Sequence, residues 1–206
     1  MPIPLSYQIS EYDCGPVCLL NALNVLFDRK LLPPCLIKAI YQYSLDCVDN
    51  QGRLGKRGTS ACAIRFLSSW LNDYSRSCNF PIRCESLPSS EICFEEGNHL
   101  MRALENGGVA IIRCRLGVPH YVLVTGAADG WVQMWDPYHI EISIRKKSIR
   151  MVEDHPYRYN RLVTYEQVNS TGKGYYSLGE IDTRECTLFF NTNTSAEFIG
   201  LEPQTI

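Results

Sequence analysis

Four residue types at suggestive positions raise the question of nucleophilic acyl transfer: Cys14, His120, Asp136 and Gln8. Asp13 precedes the stretch CGPVCLLNALNVLFD, whose apolar residues, together with Asn24, recur at mostly helical spacing. Cys14 therefore falls in the first turn of a helix. Unpaired amide hydrogens and the helix dipole stabilise a thiolate there. Asp13 is expected to cap this helix, and Pro16 is tolerated in its first turn. Gly15 would leave the approach to the sulfur open. Taken alone, the position also suits an ordinary buried cysteine. Gln8 lies six residues earlier, in a segment that must turn into the helix, so its amide and the Cys14 N–H could together hold an oxyanion.

A base must come from His99, His120, His139 or His155. His99 falls at a polar helix start and His155 in an HPY loop. His120 opens HYVLVTG, the strongest strand in the chain, where a polar side chain beside a buried run needs a partner. A three-residue turn over Ala127, Ala128 and Asp129 makes paired positions sum to 256 and sets His120 opposite Asp136. Opposed Cβ atoms are roughly 4.5–5.5 Å apart, which suits an imidazole–carboxylate bond. A two-residue turn at Asp129 and Gly130 makes the sum 259 and sets His139 opposite His120 instead.

The elements that must position these groups divide the chain. After the first helix, Pro33 and Pro34 open a short helical stretch to Tyr43, residues 46–58 are a polar, glycine-rich loop, and Thr59 or Ser60 caps a helix to about Tyr74 with Ile64, Leu67, Trp70 and Leu71 on one face. From Asn79 the texture becomes that of a sheet: PIRCESL, a helix at about 98–105, then VAIIRCR, HYVLVTG and WVQMWD as strands. The tail after Met151 holds further strands at RLVTYEQV and CTLFF around a glycine-rich turn, STGKGYYS. The expectation is an α+β chain forming one domain over 1–206, its helical half carrying the nucleophile helix against a C-terminal antiparallel sheet that residues 151–206 complete.

With 206 residues, 45% of them apolar, the chain can bury a sizeable core. A net charge of −2 with mixed signs along the chain gives no electrostatic grip on nucleic acid. The densest basic cluster, Arg145, Lys146, Lys147 and Arg150, reads as a solvated helix face or strand end. No run approaches the ~18 apolar residues of a membrane span, and MPIPLSYQISEYD lacks the pattern of a secretion signal, so a cytoplasmic protein is expected. None of the ten cysteines forms a C-x-x-C pair, which argues against zinc and redox motifs. Most read as reduced core residues, with Cys78, Cys84 and Cys93 the nearest candidates for pairing.

Taken together, QISEYDCGP, GVPHYVLVTG and WVQMWDPY resemble the bacteriocin-processing, double-glycine leader peptidases of the papain-like group, in the order Gln, Cys, His, Asp. The resemblance covers roughly residues 5–150, including the Gly58 to Ser60 helix start. It implies a papain-like fold and a cysteine peptidase acting on a peptide or protein. Cys14 would be the nucleophile, His120 the base, Asp136 its orienter and Gln8 the oxyanion donor, with no metal or organic cofactor. A transporter is commonly fused to such peptidases and is missing from this chain. Pro16 after Gly15, and aspartate in place of asparagine, separate it from papain itself. A thioester-forming acyltransferase, or a silent peptide-binding module on the same fold, would use the same framework.

Overall fold

The computed structural model describes residues 3–141 and 144–195. Helix α1 (Cys14–Leu26) is buried almost all round: Val17, Cys18, Leu19, Ala22 and Leu23 reach the core, and Asn21 is buried with them. A helix apolar on every side belongs in the interior. Its buried polar position is Asn21, whereas Asn24, expected on the inner face, is only half-buried. Helix α2 (Pro34–Ser44) starts on a proline that needs no N–H partner and buries Leu36, Ala39 and Ile40. Helix α3 (Ala61–Cys78) is capped by Ser60, whose hydroxyl accepts from Ala63 N at 3.1 Å. It buries Ile64, Leu67 and Leu71 and ends on left-handed Asn79.

Strand β1 (Ile82–Ser86) and helix α4 (His99–Glu105) lead into β2 (Val109–Leu116), β3 (Val118–Ala128) and β4 (Trp131–Trp135); β5 (Ile149–Met151), β6 (Arg161–Thr164), helix α5 (Tyr165–Asn169) and β7 (Cys186–Asn191) follow. The strands form one antiparallel sheet in the order β1-β7-β2-β3-β4-β6-β5. Ile111, Tyr121, Leu123 and Trp135 pack towards α1, α2 and α3. Ala110, Ile112, Val122, Val124 and Met134 join a second core with α4, Val168 of α5 and Tyr176. With both faces covered, the central strands must be apolar at consecutive positions, which is why VAIIRC does not alternate. No helix among the described residues is long and apolar enough to cross a membrane.

Two local expectations are corrected. The β3–β4 turn has two residues, not three: Ala128 pairs with Trp131 across Asp129 (φ 52°) and Gly130 (φ 78°), the positive-φ pair that matches strand twist in a tight hairpin. A bulge between Val124 and Gly126 then shifts the register, so that Leu123 faces Trp135. RLVTYEQV is a strand only as far as Thr164. The Thr164 hydroxyl accepts from Gln167 N and turns the rest into α5. The tail does contribute to the sheet, with β6 and β5 at one end of it and β7 inside it, where all six β7 residues are buried between β1 and β2.

The segment ahead of α1 is fastened from three sides. Asn21 Oδ1 accepts from Ser6 N at 2.8 Å and its Nδ2 donates to Ser6 O at 2.9 Å, while Trp135 Nε1 donates to the same carbonyl at 3.0 Å. Gln8 N donates to Pro137 O at 2.8 Å. Replacing Asn21 by Ala removes two of these bonds and is expected to cost about 1–3 kcal/mol, measured by urea unfolding.

Candidate functional site

Cys14 is the first residue of α1, so its N–H has no partner within the helix. Asp13 is not a side-chain cap. Its carboxylate instead accepts from Ile9 N (3.2 Å), Ser10 N (2.8 Å) and Ser10 Oγ (2.5 Å), closing the turn that carries the chain from Gln8 back to Cys14. Gly15 also has a different use from the one expected: a Cβ there would sit 2.3 Å from Thr59 Oγ1. The missing side chain lets the segment leading into α3 press against the start of α1. The short sequence Gly58-Thr59-Ser60 is thereby coupled to Cys14-Gly15.

His120 Nε2 lies 2.8 Å from Asp136 Oδ1, and both side chains are buried. They do not meet as directly opposed residues. Continuing the shifted register sets Asp136 opposite Val122, which makes it a diagonal neighbour of His120 on the same side of the sheet. Diagonal pairs are further apart at the backbone, but an imidazole spans the difference. Engagement of Nε2 by Asp136 leaves Nδ1 free for another partner, and Cys14 is near enough to affect the ring's titration. Burial pulls the His120 pKa down, but hydrogen bonding and charge from Asp136 and Cys14 outweigh it and push the value up to about 10.

Asp136 is itself fully enclosed by donors. Its Oδ1 also accepts from Tyr138 N at 2.8 Å, and its Oδ2 accepts from the Tyr176 hydroxyl at 2.7 Å. Asn160 clamps its backbone, accepting from Asp136 N and donating to Asp136 O, each at 2.8 Å. Arg161 Nε donates to Tyr176 at 3.1 Å, placing a buried guanidinium one hydroxyl away from the carboxylate. Tyr176, Arg161 and Asn160 were not anticipated. The one local signal was GYY after a glycine-rich turn: Tyr176 has φ 60°, a conformation uncommon outside glycine, held here by complete burial.

Gln8, Cys14, His120 and Tyr138 all line an open groove of about 1470 Å³. Gln8 Nε2 donates one hydrogen to Ser10 O at 2.7 Å, which leaves its second for a ligand, and Gln8 Oε1 is buried without a partner. Arg145 and Lys146, expected on a solvated face, line the same groove, whereas Arg150 covers the Trp131 ring at 4.2 Å.

The remaining thiols and histidines are differently placed. All ten cysteines are free. Cys18 donates to Tyr121 O at 3.4 Å, and burial, with Cys14 and Asp136 nearby, raises its pKa well above that of an ordinary thiol. Burial does the same to Cys114, the strand partner of His120. His99 lies 3.5 Å from Glu85, His155 bonds Asp154 at 2.7 Å, and His139 meets the Tyr7 ring edge-on. Among the described residues no group of three or more His, Cys, Asp or Glu side chains is arranged to hold a metal ion.

Because the His120 pKa is raised above its ordinary 6.5, the stability it contributes is fully present below about pH 6.5 and is lost as pH rises through about 10. Urea unfolding across that range is expected to show the advantage of wild type over Asp136→Asn shrinking with rising pH. Tyr176→Phe keeps the ring but leaves one oxygen of a buried carboxylate unpaired. A loss of about 1–3 kcal/mol is expected in chemical unfolding.

No protein-family model matches the chain, and no curated protein matches it.

Proposed function

We propose that this protein is a papain-like cysteine peptidase. The observation that carries the reading is the buried His120–Asp136 pair, with Cys14 beside it at a helix N-terminus on an open groove. A neutral thiol is a poor nucleophile, and a cation held beside it favours the thiolate. His120 takes the Cys14 proton, and the resulting imidazolium is stabilised by Asp136.

The thiolate attacks a peptide carbonyl and forms the C–S bond. The Cys14 N–H and the free hydrogen of Gln8 Nε2 receive the developing oxyanion. Collapse breaks the C–N bond as imidazolium protonates the leaving amine. Water, deprotonated by neutral His120, then cleaves the thioester. Cys18 and Cys114 keep their protons because burial disfavours their thiolates, so the first turn of α1 is the favoured place for a nucleophile. Delivery of the thioester to an amine would use the same groups, and peptide assays run with and without added amine separate the two outcomes.

Iodoacetamide near neutral pH, followed by peptide mass spectrometry, is expected to label Cys14 before the other nine thiols. Cys14→Ala should abolish cleavage of a peptide library without lowering the unfolding midpoint. Asp136→Asn should retain partial turnover, reduced on the order of 10²–10⁴-fold, because the base survives with its orientation weakened. Labelling of Cys14 no faster than the exposed Cys35, Cys62 and Cys78, or undiminished cleavage by Cys14→Ala, would remove Cys14 from the role.

A further inference from the structure

The chain as a whole is slightly acidic, yet the groove beside Cys14 is not. Lys56, Arg57, Arg113, Arg145 and Lys146 line it, against Glu11, Asp46 and Glu185. Two of those three acids are already engaged. Asp46 accepts from Ser60 N at 2.9 Å and Ser60 Oγ at 2.5 Å, and Glu185 accepts from Arg113 at 2.6 Å and from the Tyr121 hydroxyl at 2.5 Å. The pairing with Glu185 neutralises Arg113, whereas Ser60 brings no charge to Asp46. Four cations are left against two carboxylates, Glu11 and Asp46.

Those four arrive on two separate pieces of chain. Lys56 and Arg57 belong to the segment that carries Thr59, and Arg145 and Lys146 to the segment that follows Asp136 and carries Tyr138. All four are exposed, and none has a carboxylate within ion-pair distance among the described residues. Lys56 is held over the Tyr12 ring at 5.3 Å and Lys146 over the Tyr175 ring at 5.8 Å, so aromatic faces help to aim both ammonium groups. Asp49, whose pKa is lowered chiefly by hydrogen bonds from the Arg53 amide and side chain, is bonded to Arg53 Nε at 2.7 Å. Val118, Ile140 and Ile144 add apolar wall to the same groove.

A concave site with an excess of one sign of charge concentrates ligands of the opposite sign, and the effect weakens as salt shortens the screening length to about 10 Å at 0.1 M. We propose that the groove takes an extended peptide segment bearing carboxylates on both sides of the bond presented to Cys14. This rests on reading the groove as the substrate site of a peptidase. Lys56 and Arg57 would meet one flank of such a segment and Arg145 and Lys146 the other, while apolar side chains between the acids would meet Val118, Ile140 and Ile144.

The test separates binding from cleavage. Fluorescein-labelled decapeptides with Glu at alternate positions, and matched peptides with Gln in place of Glu, are titrated with Cys14→Ala protein by anisotropy at 20 and 200 mM NaCl. The Glu peptides are expected to bind at least tenfold more tightly at low salt, with the preference shrinking at high salt. The preference should be lost in Arg145→Glu/Lys146→Glu protein and, independently, in Lys56→Glu/Arg57→Glu protein. Equal binding of both peptides, binding of neither, or a preference that survives either charge reversal overturns the proposal. Cleavage by wild-type protein is followed by mass spectrometry on the same peptides. Selective binding without cleavage would overturn the peptidase reading while sustaining the acidic-segment site; equal kcat/KM for Glu and Gln peptides would do the reverse.

Discussion

The carboxylate of Asp136 is the fixed point of the site. A fully buried carboxylate is tolerated only when its charge is met by donors, and here imidazole, a backbone amide and a tyrosine hydroxyl surround it while Asn160 grips its main chain from both sides. The donors come from β3, from the chain just past Asp136, and from the loop that carries Tyr176. The charge therefore fixes the relative positions of segments far apart in sequence. It also fixes which ring nitrogen of His120 remains free. Beyond Tyr176 the series continues to the buried guanidinium of Arg161, so positive and negative groups alternate from Arg161 through Asp136 to His120.

The other half of the site depends on where α1 begins. Asp13 folds the preceding turn by taking main-chain and hydroxyl hydrogens from Ile9 and Ser10, and Asn21 and Trp135 tie down Ser6 ahead of it. The bond from Gln8 N to Pro137 O then joins this segment directly to the residue after Asp136. Gly15 and Thr59 bring in the third piece of chain. Each contact is modest by itself. Their combination leaves the Gln8 amide, the Cys14 sulfur and the His120 ring on one groove.

Much of the secondary structure could be read directly because its signals are local. Helix starts at Pro34, Ser60 and Asn98 carry proline or side-chain caps, and β2, β3 and β4 are dense in β-branched and aromatic residues. The failures have equally local causes. Asp129-Gly130 is a strong two-residue turn signal, and reading it as part of a longer turn gave a register that brought His120 and Asp136 together for an incorrect reason. The bulge that makes their meeting possible leaves little trace in the residues themselves. Thr164 was read as mid-strand, although a threonine able to accept from an amide three residues on can equally well start a helix.

The amino-acid sequence by itself determined the helix carrying Cys14, the strand opened by His120 and the apolar runs of the sheet, since periodicity, caps and composition act over a few residues. Only the tertiary structure decided that β7 lies inside the sheet, that Tyr176, Arg161 and Asn160 enclose Asp136, and that the exposed Arg145 and Lys146 line the groove beside Cys14. Those outcomes depend on burial and on charge neutralisation between segments separated by tens of residues, and no local pattern encodes which distant donor a buried carboxylate will find.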